Sequence, residues 1–231
     1  MMAILGSKGS GKKALLSVIS DRIGGGNHGF TTTRGQILLN DVPLTVRLFH
    51  EQCGFVAKRT EMIESLKVLP FLRYMARMTI RQPIGRTMPN GKPLPLGLRV
   101  KQVLADVALS SAAKLKVGAL SPAERKRLAI ALQLVRDPLL LVLDDPTDGL
   151  SPLDTYFIIS MLSNHVKKYQ RIVLFTIDRP RSDIFPFLDR VTFLCLGDVV
   201  YSGSTCMMMQ YFSSIGFPCP ELENPLMYYC K

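Results

Sequence analysis

A short apolar run, Met2-Ala3-Ile4-Leu5, leads directly into Gly6-Ser7-Lys8-Gly9-Ser10-Gly11-Lys12-Lys13, and an apolar-periodic segment follows. Few patterns restrict a fold as tightly. The glycines and Lys12 are spaced as in a phosphate-binding loop, Gly-x4-Gly-Lys, which sits between a strand and a helix. Residues 12–22 carry Leu15, Leu16, Val18 and Ile19 at helical spacing, so the loop has both flanks it needs. In such a loop successive backbone N–H groups and the helix N-terminus cradle the phosphates, while the lysine reaches the β- and γ-phosphates. The position after that lysine usually carries a hydroxyl that ligates Mg²⁺. Here it is Lys13, whose ammonium has donors only. The loop thus predicts phosphate binding with altered metal chemistry. An ordinary turn opening a helix is the alternative that the rest of the chain has to exclude.

A chain of 231 residues that is 47% hydrophobic is long enough for one large α/β domain with a sizeable core, or at most two small ones. No apolar stretch approaches the ~20 residues of a membrane span, since the longest strongly aliphatic run, 138–143, is strand-length. Lys8, Lys12 and Lys13 fall where the apolar part of a signal peptide would lie. The five cysteines, Cys53, Cys195, Cys206, Cys219 and Cys230, show no metal-ligand spacing and read as reduced thiols. The net charge of +11 fits nucleic acid, an anionic membrane surface or nucleotide phosphates equally well.

Strand and helix patterns alternate along the chain, which predicts an α/β fold with a mostly parallel sheet covered by helices. Strand patterns occupy residues 36–39, 53–57, 139–143 and 171–177. Helical spacing runs through 66–79, 100–109, 122–136, 156–168 and 207–215. Residues 83–95, rich in proline and cations, read as an exposed loop. A hairpin is expected over 191–201, turning at Gly197-Asp198. Ser121-Pro122-Ala123-Glu124 is a capping box, with proline in the first turn of the helix it opens.

The second chemical signal is an apolar run, 139–143, ending in Asp144-Asp145-Pro146. A buried strand that ends in acids places them at the carboxyl edge of the sheet, where α/β folds bind ligands. In phosphate-loop proteins the first such acid holds Mg²⁺, which for Asp144 implies an indirect role, and the second polarises the attacking water. Two acids opening the next turn are the structural alternative. The capping box adds a helix N-terminus whose free N–H groups suit a phosphate supplied from elsewhere.

Taken in order, these segments resemble the nucleotide-binding domain of ABC transporters, a P-loop NTPase fold, over nearly the whole chain. The order is the Walker A loop (residues 6–13), the signature (Leu120, Ser121, Pro122, Ala123, Glu124), Walker B (139–145), the D-loop (Gly149-Leu150-Ser151) and a switch strand ending at Asp178. Glu124-Arg125-Lys126-Arg127, residues 176–185, Gly216-Phe217-Pro218-Cys219-Pro220 and Asn224-Pro225 resemble subfamily G, and within it the sterol half-transporters that act as heterodimers, the sterolins. The resemblance implies one nucleotide-binding domain over residues 1–231, with a helical subdomain at about 60–135 that carries the signature. It implies ATP and Mg²⁺ as ligands and a dimer in which each site pairs one chain's Walker motifs with the other's signature. A transmembrane domain is expected beyond residue 231 and core strands before residue 1. The domain then belongs on the cytoplasmic side of a membrane, beside a second subfamily G half-transporter.

The departures from that pattern fall on the chemical positions. Lys13 replaces the Mg²⁺ hydroxyl, and Lys58 stands where the family has a glutamine near the metal and the attacking water. Asp145 replaces the glutamate base, Asp178 the switch histidine, and Ser151 the D-loop aspartate. Pro122 and Ala123 stand for two signature glycines, removing an N–H and adding a Cβ where backbone approaches phosphate. The expectation is a site that binds ATP and hydrolyses it weakly or not at all. Lys12, Lys13 and Lys58 would still attract the triphosphate, with the lysines supplying part of the metal's charge, or Lys13 and Lys58 would pair with Asp144, Asp145 or Asp178. A soluble kinase-like or GTPase-like protein is the alternative class, lacking an explanation for the capped helix. An ABC protein acting on nucleic acid is another, against which the subfamily G segments speak.

Overall fold

A strand covered by helices on both faces must be apolar at every position, and Leu140–Leu143 is buried at all four. Its even and odd residues serve different cores. Leu140 and Val142 join Ile4, Leu174 and Leu194 against Leu16 and Phe49 on one side of the sheet. Leu141 and Leu143 join Ala3, Leu5, Val173, Phe175, Val191 and Phe193 in the larger core on the other. The computed structural model describes residues 1–20, 34–80 and 94–230. Residues 24–26, whose three glycines read as a loop in the sequence, and most of the proline-rich segment 83–95 therefore lie outside the described residues.

In chain order the first half contains β1 (Met2–Gly6), α1 (Lys12–Ile19), β2 (Leu38–Leu39), β3 (Val42–Pro43), α2 (Val46–Gln52), β4 (Cys53–Val56), α3 (Val68–Thr79) and α4 (Leu96–Asp106). The second half contains α5 (Pro122–Leu134), β5 (Leu140–Leu143), α6 (Pro152–Tyr169), β6 (Ile172–Thr176), β7 (Arg190–Cys195), β8 (Asp198–Ser204), α7 (Thr205–Ser214) and α8 (Pro225–Tyr228). The sheet order is β4-β5-β6-β1-β7-β8, parallel except for the β7–β8 hairpin. This is the α/β architecture the alternation predicts.

Register aligns the carboxyl ends. Val56 pairs with Leu143, Leu143 with Phe175, Ile4 with Thr176, and Gly6 with Leu194. Every segment that follows one of these strands therefore emerges on a single rim. The helices α3, α4 and α5 pack on one another, and their buried side chains are continuous with the larger core. Arg127 of α5 donates to the Ala108 carbonyl at 2.8 Å beyond the end of α4, and its guanidinium lies 5.1 Å over the Phe157 ring of α6. A cation at a helix C-terminus satisfies carbonyls that have no intrahelical partner.

Some element bounds move from the sequence expectation for identifiable reasons. α4 starts at Leu96 because Pro95 occupies its N-cap, four residues before the apolar periodicity begins. α6 starts at Pro152 because the Ser151 side chain caps the Asp154 N–H. Its first turn leaves Leu153 exposed, so periodicity alone starts the helix late. β2 pairs only with β3, in a ribbon apart from the main sheet. The hairpin turns at Leu196-Gly197, not Gly197-Asp198: Asp198 is already paired with Cys195, and both turn residues have positive φ. That is the requirement of a two-residue turn matching strand twist.

Phe175 is fully buried on β6, between β5 and β1. We expect Phe175→Ala to lower unfolding stability by about 3–5 kcal/mol, read from urea denaturation.

Candidate functional site

The loop after β1 is built to hold an anion. Gly6 has φ +149 and lies so close to β7 that a Cβ would run into the Leu194 carbonyl oxygen and sit 2.6 Å from Ser10 Oγ. Gly11, at φ +96, is the N-cap of α1. No side chain caps that helix and no acid lies in its first turn, so its end N–H groups and positive potential face the loop unopposed. Ser10 is 1% exposed, and its hydroxyl has no hydrogen-bond partner among the described residues. A buried hydroxyl without a partner costs stability unless a ligand satisfies it. Glycine approach, open helix end and orphan hydroxyl together fit the phosphates of a nucleotide. The Gly197 N–H of the hairpin turn donates to the Ser10 carbonyl at 3.2 Å and braces the loop from the β7 side.

The lysines of the sequence reading separate into three situations. Lys12 is buried; its Nζ donates to the carbonyls of Gly6 (2.7 Å) and Ser7 (2.9 Å) and lies 3.2 Å from Asp178. Lys13, like Lys8, is exposed, and its side chain has no partner among the described residues. Lys58, just after β4, points its Nζ at Asp145 (2.9 Å) and Asp148 (3.1 Å). For Lys58 the pairing alternative is thus the one that forms. The hydrogen bond to Asp145 holds the Lys58 ammonium above the usual lysine range. Burial pushes the Asp145 carboxyl up and Lys58 opposes that. With two carboxylates on one Nζ, the ammonium–carboxylate form prevails.

Asp145 itself is buried with φ +40, a left-handed conformation that aspartate tolerates better than most residues. Its N–H donates to Thr176 Oγ1 at 3.0 Å, and Thr176 Oγ1 donates to Asp144 at 3.2 Å. Thr147 adds a donor to Asp145 at 3.3 Å. A single hydroxyl at the end of β6 therefore spans the two acids at the end of β5. Asp144 is left with a neutral donor while Asp145 is held by a cation. For a divalent metal this donor set falls short. The phosphate loop offers an ammonium in place of a hydroxyl, and among the described residues no group of three His, Cys, Asp or Glu side chains is placed to hold an ion.

The signature residues stand apart from the cradle in their bonding. Ser121 and Glu124 bond reciprocally, 3.2 Å and 2.9 Å, as the capping box predicts, and Ala123 is buried. One turn further, Lys126 donates to the Lys58 carbonyl. Burial pushes the Lys126 ammonium down, against the pull of Asp145 and Asp148. Thr176, Asp148 and Lys126 were not singled out from the sequence as site residues, and the Gly197 turn was expected as a hairpin turn without a part in the site. Thr176 and the Gly197 turn are distant in the chain and join the site through sheet register, Lys126 joins it from α5, and Asp148 follows Asp145 within one turn of chain.

With the geometry in place, the comparisons are specific. A family model described as ABC transporter matches residues 1–148. Over 99% of its length the chain is 34% identical to ATP-binding cassette sub-family G member 8 of Rattus norvegicus and 33% identical to member 5 of Homo sapiens. It spans about a third of those relatives, 32% and 34% of their lengths. The structure of cbiO1 from Clostridium perfringens, part of the ABC transporter complex cbiONQ, superposes with TM-score 0.71 at 22% identity, covering 93% of this chain and 79% of cbiO1. An ATP-binding cassette of an ABC transporter in its ADP conformation also gives 0.71, at 18% identity over 94% of this chain and 86% of its own. At these identities the structural likeness establishes fold alone.

Thr176→Val keeps the shape at the end of β6 but removes an acceptor from the buried Asp145 N–H and a donor from Asp144. We expect a loss of about 1–3 kcal/mol in denaturant unfolding with the native secondary structure retained, as read by circular dichroism.

Proposed function

The chain belongs to the ABC transporter family, and from that premise we propose that it is the ATP-binding domain of a subfamily G half-transporter in which its own site binds ATP and hydrolyses it weakly. The observation that carries this reading is one rim holding an intact phosphate cradle beside an acid already neutralised by Lys58, 2.9 Å away. ATP bound at the cradle supplies the γ-phosphoryl group and its charge. Lys12 would leave the Gly6 and Ser7 carbonyls for phosphate oxygens, and Ser10 Oγ and the α1 N-terminus would donate to them. Asp145 would have to accept a proton from water to act as base, but its ion pair with Lys58 opposes that protonation. Asp178, an anion near Lys12, repels rather than binds a terminal phosphate. Losing one such group commonly costs a few kcal/mol of transition-state stabilisation, about 2.7–4 for one oxyanion donor, and such losses within one site do not simply add.

The relatives are about three times longer than this chain, and transport is proposed for an assembly of which this domain is one part. The reading places residues 60–135 as the signature-bearing helical part, and a second subfamily G half-transporter as the partner whose signature closes this cradle. Sterol or other lipid export is the proposed activity of that assembly. A membrane domain is proposed as the chain's immediate neighbour, and among the described residues no helix is long and apolar enough to cross a membrane. The +11 charge then suits a position under an anionic cytoplasmic leaflet. Mg²⁺ then has an indirect, reduced part at Asp144, and Lys12 and Lys13 contribute charge in its stead, while Lys58 is committed to Asp145 and Asp148.

Two measurements test this. Titration with a fluorescent ATP analogue should give similar affinity in Mg²⁺ and in EDTA, and at least tenfold weaker binding for Lys12→Ala. A complete requirement for Mg²⁺ would refute the lysine substitution, and no binding at all would refute the cradle. In the full-length heterodimer, Lys12→Ala in this subunit alone should leave steady-state ATPase within about twofold of wild type. A tenfold fall, which corresponds to about 1.4 kcal/mol, would show that this site turns over.

A further inference from the structure

The positive charge of the chain is not spread evenly. Among the described residues, 66–80 and 94–119 hold seven lysines and arginines but a single acid, Asp106, which Lys168 of α6 already pairs at 2.8 Å. That surplus is more than half of the +11 carried by the whole chain, so one lobe, built on α3 and α4, dominates its field. Arg99 is buried. Lys67, Arg73, Arg77, Lys101, Lys114 and Lys116 are exposed, and among the described residues none of them has an acidic partner.

Two of these cations are set against each other. Lys67 and Lys116 face one another in an isolated antiparallel bridge, flanked by the Val68 N–H on the Leu115 carbonyl (3.0 Å) and the Val117 N–H on the Leu66 carbonyl (2.9 Å). This is the narrow, non-hydrogen-bonded kind of pair, in which side chains approach most closely and like charges repel. From Lys67 the chain enters α3, where Val68, Leu72 and Ala76 are buried on one side and Arg73, Tyr74, Arg77 and Met78 are exposed on the other. Met78 is 76% exposed and Tyr74 50%. Cations interleaved with an aromatic and a flexible apolar side chain suit a boundary between water and hydrocarbon, where the charges meet anionic headgroups and the apolar parts enter the layer beneath. A single-stranded nucleic acid would instead need several aromatic side chains for stacking, and Tyr74 is the one exposed aromatic among the described residues of this lobe.

We propose that the outer side of α3, with the Lys67–Lys116 bridge at its start, docks on the anionic headgroups of a lipid bilayer. This rests on the preceding reading only in setting the domain beside a membrane. The contact offsets the repulsion between Lys67 and Lys116 and orients the domain, with the α3 side toward the lipid. It acts over no more than about a Debye length, ~10 Å at 0.1 M salt, so the surface has to lie against the bilayer to be felt.

Sedimentation with vesicles tests this. Wild type should bind phosphatidylcholine vesicles that contain phosphatidylserine and not pure phosphatidylcholine, and Arg73→Gln with Arg77→Gln should weaken that binding at least about tenfold. Arg34→Gln with Lys167→Gln removes the same charge from exposed positions elsewhere and should stay within about twofold of wild type. An equal fall in both double variants would reduce the effect to net charge and overturn the α3 surface. So would a wild type that ignores the phosphatidylserine vesicles, or one that prefers a single-stranded oligonucleotide to them. The fluorescent ATP titration, run on the same proteins, separates this from the cradle. Vesicle binding lost with ATP affinity kept in the Arg73 and Arg77 variant supports the surface, whereas a wild type that binds vesicles but no ATP would overturn the cradle alone.

Discussion

The site depends on β1 being hydrogen-bonded on both edges. Parallel pairing to β6 and to β7 fixes where the chain leaves the sheet at Gly6, and the same registers bring Thr176 and Leu194 to that level. A parallel strand in the interior of a sheet cannot slip by one residue without exchanging its two buried faces. Ala3 and Leu5 face one core and Ile4 the other. The height of the phosphate loop is therefore set by apolar packing well below it. Gly6 completes the arrangement, since no other residue fits against the Leu194 carbonyl.

Against that frame the charges have competing partners. Lys12 has two carbonyls and Asp178; Lys58 has Asp145 and Asp148. Partly buried ion pairs of this kind gain Coulomb energy but forfeit hydration, so their net contribution to folding is modest. Their chemical effect is larger. A carboxylate held by an ammonium is a poor proton acceptor, and a phosphate-loop lysine bonded to its own backbone must exchange partners before it meets an anion.

Much of this was legible in the chain because it is local. The glycine spacing and its flanks, the Ser121 capping box and the acids closing an aliphatic run each declare themselves within ten or so residues, and each forms as expected. The β7–β8 hairpin was legible in place but not in turn position, since leucine gives no turn signal and Gly197 reads equally well as the first or second residue. Thr176 could not be assigned from sequence. A threonine at a strand end is ordinary, and only the pairing of β6 between β5 and β1 puts its hydroxyl between two acids. The same holds for Lys126, one of several cations in 124–127, which becomes distinct only when α5 runs past the end of β4. The start of α6 was hidden by its own exposed first turn, although Ser151-Pro152-Leu153-Asp154 repeats the serine, proline and acid of the cap at Ser121.

The helix α5 has one end in solvent and the other in the core. Ser121 and Pro122 are exposed, whereas Leu128 to Leu132 are buried on every side. Between the exposed end and the buried one, Arg125 reaches Glu64, Lys126 the Lys58 carbonyl and Arg127 the Ala108 carbonyl. Lys126 is thus a strut between the capped helix and the backbone that carries Lys58, so the capped end and the Lys58–Asp145 pair share one backbone support.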